Sequence, residues 1–167
     1  MSKPRAGIPS AMLARDLASR YARERPTLGR AGIELLAGVP LFAGLSRRHL
    51  RRLADLAEEV RFGAGRTIVQ YGSPGNTFFV IVEGRVKVLA GYSSRAFARL
   101  GPGDFFGELA LLDGGPRTAS VVAETPLVAI RIPRAGFRKM LKSEPDISLK
   151  LLEELSRRLR TQRSATQ

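Results

Sequence analysis

Phe106-Gly-Glu-Leu-Ala-Leu-Leu-Asp-Gly-Gly-Pro-Arg-Thr-Ala-Ser-Val121 sets a short apolar, helix-forming run between glycines and follows it with an arginine entering a β-prone segment. Gly107 allows the backbone to turn sharply and approach a ligand with no side chain in the way. Residues 107–112 then begin a short helix whose free N–H groups favour an anion. Arg117, held by the β-forming run 118–122, offers phosphate oxygens a planar guanidinium fork that a flexible lysine matches less well. Ionised Glu108 has only acceptors and repels phosphate, so its fitting partner is a donor such as a sugar hydroxyl. The helix start and Arg117 favour its charged form. Taken singly, Glu108 reads as a helix-start carboxylate, Arg117 as a surface arginine and Gly114-Gly115-Pro116 as a turn. The ordered set, a phosphate clamp beside a hydroxyl acceptor, points to nucleotide recognition.

Around this stretch the chain has a period of two. Residues 59–62, 67–70, 77–83, 85–89, 96–100, 118–123 and 127–132 read as short strands broken by glycine or proline turns. Many short strands predict a barrel or jelly roll.

Helical periodicity flanks the strands. Ser10 is read as the cap of a helix to about residue 25, with Met12 or Leu13, Leu17 and Tyr21 as its apolar stripe. A helical turn over 33–37 precedes a second helix, capped by Ser46 and reaching residue 59, that turns Leu50, Leu53, Leu56 and Ala57 inward. Beyond the strands, a short helix over 134–141 leads to a longer one from Pro145. That helix carries Ile147, Leu151, Leu155 and Leu159 at four-residue spacing, with Leu152 widening the stripe. Such a stripe is core more often than ligand lid.

Composition narrows the function. The length of 167 residues suits one domain with terminal helices. The absence of cysteine excludes disulfides and thiolate chemistry and fits a reducing cytoplasm. Neither a membrane span nor a signal peptide is indicated. The net charge of +13 is concentrated at the ends: seven basic and two acidic residues in 1–30, nine basic and four acidic in 134–167. Such ends are either solvated faces or attract an acidic partner, anionic lipid or non-specific nucleic acid. The single histidine, His49, lies among Arg47, Arg48, Arg51 and Arg52, which suits a solvated face and provides no metal site. Glu108 and Arg117 lack a nucleophile at defined spacing, so an enzyme is not indicated.

Gly107, Glu108, Leu109, Ala110, Leu111, Pro116, Arg117, Thr118, Ala119, Ser120 and Val121 together resemble the phosphate-binding cassette of the cyclic-nucleotide-binding domain family. The opening at 41–46 and the glycine-containing turns at 82–86 and 100–107 are similar to that family too, so the resemblance spans 39–159. It implies an α+β fold: an eight-stranded antiparallel β-roll or jelly-roll barrel, a cupin-like double-stranded β-helix, with flanking N- and C-terminal helices. The implied organisation is a basic, partly helical extension over 1–30 and a binding domain over 31–163. Within that domain, helices cover 32–59, the roll 60–133 with its cassette at 104–121, and the C-terminal helices 134–160.

The implied ligand is regulatory, cAMP or cGMP, without a further cofactor or metal. The implied site is Phe106, Gly107, Glu108, Leu109, Ala110, Arg117, Thr118 and Ala119. On resemblance, Glu108 takes the ribose 2′-hydroxyl and Arg117 the cyclic phosphate, while Gly107, Leu109 and Ala110 shape the cradle. A threonine directly after the clamp, here Thr118, can bond a syn guanine. cAMP is nevertheless favoured, as the commoner bacterial messenger. The helix after the roll often covers the base and moves with ligand. With no tryptophan and no aromatic after Phe137, Leu151, Leu152 or Leu155 would meet the purine.

In similar bacterial regulators a helix-turn-helix follows, whereas only 161–167 remain here. The expectation is therefore a stand-alone, cytoplasmic, non-enzymatic receptor that signals to a separate effector protein. Specific DNA binding is not expected, and self-association through the C-terminal helix stays open. A nucleotide-independent interaction scaffold and an accessory subunit of a DNA-binding regulator are the alternatives.

Overall fold

The computed structural model describes residue 18 and residues 30–165. The helix expected from Ser10 lies outside the described residues except at Ala18, which is helical and buried.

The order of elements is α1 (Arg30–Ala37), a 3-10 turn (Pro40–Phe42), α2 (Arg47–Asp55), β1 (Glu58–Phe62), β2 (Thr67–Val69), β3 (Thr77–Glu83), β4 (Val86–Ala90), β5 (Ala96–Leu100), β6 (Phe105–Phe106), α3 (Glu108–Asp113), β7 (Ala119–Ala123), β8 (Leu127–Pro133), α4 (Arg134–Ser143) and α5 (Pro145–Ala165). Ser46 caps α2 as expected, its hydroxyl accepting the amide of His49 at 3.2 Å. The helix ends at Asp55, because residues 58–62 pair with β8 and leave the helical register.

The expected barrel does not form. The strands divide into two open four-stranded antiparallel sheets, β1-β8-β3-β6 and β2-β7-β4-β5, in place of a closed eight-stranded β-roll, jelly-roll barrel or cupin-like double-stranded β-helix. Closure needs a continuous ladder around the corners. Here β6 has two residues and β2 has three, and each pairs only within its own sheet. The sequence pattern also missed β6. A two-residue strand has no visible period, and it exists because Phe79 and Val80 stand opposite Phe106 and Phe105.

Alternation along β3 and β8 sorts the core into two layers. Phe78, Val80, Val82, Val128, Ile130 and Ile132 face the helices, where they join Leu36, Phe42, Leu53, Phe137 and Ile147. Phe79, Ile81, Leu127 and Ala129 point the other way and meet Val69, Val86, Val121 and Ala123 of the second sheet. The first sheet is therefore covered on both faces, and β3 carries an unbroken apolar run, Phe78-Phe-Val-Ile-Val82, between Thr77 and Glu83. Phe42 ties the first sheet to the helices, edge-on to Phe78 at 5.8 Å and tilted against Phe137 at 6.3 Å.

Two other expectations are corrected. His49 is buried, not part of a solvated face, because it shares the inner side of α2 with Leu50 and Leu53 while the arginines around it point outward. The stripe of α5 also shortens. Ile147 and Leu151 are buried and Leu155 packs at the core's margin, but Leu152 and Leu159 are each 61% exposed. Leu152 lies on the helix face turned away from the core, and Leu159 lies beyond Leu155, the last of the stripe to pack against it.

Candidate functional site

The chain crosses from the first sheet to the second between β6 and β7, and α3 is that crossing. Its ends are set by Gly107 and Gly114, at φ +81° and +63°, in the left-handed region where glycine is free of the Cβ penalty. Gly107 carries a second constraint. A Cβ there would lie 2.5 Å from Arg117 Nη1 and 2.9 Å from the Thr77 carbonyl oxygen. The guanidinium is thus packed directly against the backbone that opens the helix.

Arg117 lies just before β7 and is 8% exposed. Its Nη2 donates to the carbonyl oxygen of Thr77 at 2.8 Å and to the Thr77 hydroxyl at 2.9 Å. Nη1 is buried and has no hydrogen-bond partner among the described residues. Burial lowers the Arg117 pKa from its ordinary value, because a desolvated guanidinium is disfavoured as a cation. One edge of a rigid fork is anchored and the other is unsatisfied, next to a glycine.

The loop before β3 holds this arginine from behind. The amide of Arg117 donates to Ser73 and its carbonyl accepts from Gly72, each at 2.8 Å, and the Gly75 amide donates to Gly115 at 3.0 Å. Pro74 bridges Pro116. At Gly75 an added Cβ would meet Ala110 Cβ at 2.6 Å and the Gly115 carbonyl oxygen at 2.7 Å, so the loop approaches the crossing as closely as a glycine permits. A cavity of about 250 Å³ lies here, lined by Thr67, Val69, Ser73, Asn76, Thr77 and Arg117 among others. A larger one of about 750 Å³, around Gly84, Arg85, Arg99 and Pro102, lies among other turns and includes no residue of the 106–119 stretch. Chemistry, not size, marks the smaller one.

The expected site residues fall into groups. Gly107, Ala110 and Arg117 converge, and Glu108 is half-buried at the first position of α3. Phe106 belongs to the scaffold: it pairs with Phe79 and stacks on that ring at 5.0 Å, fixing where the crossing begins. Leu109 lies in α3. Thr118 is exposed, and Ala119 starts β7 opposite Ala90. Sequence reasoning missed Thr77, forty residues before its arginine, and read Gly72 and Gly75 only as corners. Nothing local in Ser-Pro-Gly-Asn-Thr signals an arginine anchor.

Among the described residues, no group of three or more His, Cys, Asp or Glu side chains is placed to hold a metal ion. No described helix is long and apolar enough to cross a membrane.

A family model described as the cyclic nucleotide-binding domain matches residues 59–144, from β1 to the end of α4. The chain belongs to that family. It is a family of ligand-binding, non-catalytic regulatory domains. A cAMP-dependent protein kinase regulatory subunit of Aspergillus fumigatus is 38% identical over 112 residues, 67% of this chain and 27% of that protein. A CRP-like cAMP-activated global transcriptional regulator of Mycobacterium tuberculosis is 34% identical over 130 residues, 76% of this chain and 58% of the relative. The chain thus spans about a quarter and somewhat over half of these two proteins. Among solved structures, the N-terminal domain of a transcriptional regulator from Streptomyces coelicolor superposes with a TM-score of 0.72 at 32% identity, covering 78% of this chain and 96% of that one.

Proposed function

We propose that this chain is a non-enzymatic cyclic-nucleotide receptor that prefers cAMP to cGMP and signals to a separate effector protein. The observation that carries the reading is Arg117: a buried guanidinium, anchored through Nη2 and unsatisfied at Nη1, against the glycine that opens α3. A scaffold gains nothing from that arrangement, since a buried cation without full hydrogen bonding is unfavourable. A cyclic phosphate supplies the missing acceptor and charge, and a slight outward shift at Gly107 admits it. In this reading Glu108 accepts from the ribose 2′-hydroxyl. Gly107, Leu109 and Ala110 form the cradle, Phe106 and Ala119 hold its ends, and Thr118 borders it.

The preference for cAMP is supported by the cAMP in both curated relatives' names, while Thr118, exposed beside the clamp, is the residue through which cGMP would gain a contact. Output is assigned to α5. Leu149, Leu152 and Leu159 are exposed on it, and the same apolar side can meet an effector or a second copy. We assign the receptor to residues 31–163 and the basic extension to 1–30. A chain without cysteine, and with no membrane-crossing helix among the described residues, suits the cytoplasm. Specific DNA readout forms no part of the proposal.

Calorimetric titration with cAMP and cGMP tests it. Binding of both, cAMP more tightly, is expected. Arg117→Ala should lose about 2–4 kcal/mol of affinity, more than Glu108→Ala, since it removes a charge-assisted contact. Thr118→Ala should cost cGMP about 1 kcal/mol and leave cAMP nearly unchanged. Absence of heat with either nucleotide, together with an unmoved melting temperature, would identify a scaffold.

A further inference from the structure

Helix α2 carries Arg47, Arg48, Arg51 and Arg52, all exposed, within nine residues. Local physics opposes this placement. Cations in the first turn face the positive end of the helix dipole, and the helix has no acidic residue there. The pairs 47/51 and 48/52 are like charges one turn apart, which destabilise a helix. Leu50 and Leu53 on the buried face explain why the helix stays folded, not why its outer face is arginine. Sequences break local rules of this kind mainly where a function requires it.

A second observation names the chemistry. Glu144 is the single residue between α4 and α5, and its carboxylate sits 3.5 Å from Arg52 and 4.0 Å from Arg48. Its backbone also makes the joint, donating to Met140 at 2.9 Å and accepting from Ile147 at 3.0 Å. The arginine row already takes one carboxylate in cis, and that carboxylate belongs to the hinge of the C-terminal helix. Among the described residues, Arg47 and Arg51 make no ion pair.

We infer that the outer face of α2 is a docking surface for an acidic protein segment, whose carboxylates engage Arg47 and Arg51 and compete with Glu144 for Arg48 and Arg52. Occupation of the row in trans thereby releases the α4–α5 joint. An acidic peptide fits better than nucleic acid. The acceptor seen on the row is a carboxylate, and no aromatic lies among its exposed residues to stack a base.

Fluorescence anisotropy of a labelled hexaglutamate peptide, titrated with the full chain at low salt without nucleotide, tests this independently of the receptor reading. The charge reversal Arg47→Glu/Arg51→Glu should weaken peptide binding roughly tenfold, as loss of two partly screened contacts implies. Arg47→Gln/Arg51→Gln should weaken it less, and circular dichroism should show both folded. Glu144→Gln should strengthen binding about threefold, a direction that misfolding does not produce. Binding unmoved by the Arg47/Arg51 changes, or not strengthened by Glu144→Gln, overturns the inference. So does a short DNA duplex that binds more tightly than the peptide and loses affinity with the same pair, which would mark a nucleic-acid surface.

Discussion

Arg117 combines two demands that usually conflict. Its lowered pKa means that the charged form is less favoured in the folded than in the unfolded chain, so the cation opposes folding at every pH where it stays protonated. Arginine remains protonated throughout the working range. Replacing it by a long apolar side chain should therefore cost the nucleotide-free protein little. Arg117→Met is expected to unfold in urea within about 1 kcal/mol of the parent, as isosteric replacement of buried charges often does, while nucleotide binding is lost. A collapse of stability in this variant would mean that the two bonds to Thr77 hold the crossing together by themselves. Gly107→Ala should behave oppositely. With φ at +81° and a Cβ 2.5 Å from Nη1, it is expected to destabilise by roughly 1–3 kcal/mol and to weaken binding as well. Parallel denaturation and titration distinguish the two outcomes.

Helix α5 shows how far an apolar stripe is decided by its partner. The helix packs on the 3-10 turn and α4, and Ile147 and Leu151 are buried in the core, whereas Leu152, one residue on, points to solvent. Leu151→Ala is expected to destabilise the fold by about 2–4 kcal/mol through the cavity it leaves. Leu152→Ala should lie within about 0.5 kcal/mol of the parent. Equal losses in urea unfolding would place α5 in a different rotation about its axis. If α5 carries the output through a second copy, Leu152→Ala should nevertheless reduce self-association, read by light scattering.

For the molecule as a whole, ligand binding and stability are one equilibrium. A receptor saturated at 100 times its Kd gains about 2.7 kcal/mol, so the melting temperature should rise with cAMP and should not rise in Arg117→Ala. Much of this architecture was legible in advance. Period-two runs placed seven strands within a residue or so of their observed limits, Ser46 and the glycines around α3 marked their boundaries, and the ordered cassette pointed to the family. These signals are local: a side-chain period, a capping hydroxyl, or a positive φ is written within a few residues of where it acts. What remained depended on distant segments meeting. Two sheets formed instead of one barrel because edge strands of two and three residues pair only within their own sheets. β6 exists because β3 lies opposite it, His49 is buried because of which face of α2 meets the core, and Arg117 has its orientation from a threonine forty residues away. Burial and hydrogen-bond partnership belong to pairs of surfaces, and a single stretch of chain carries only one side of each.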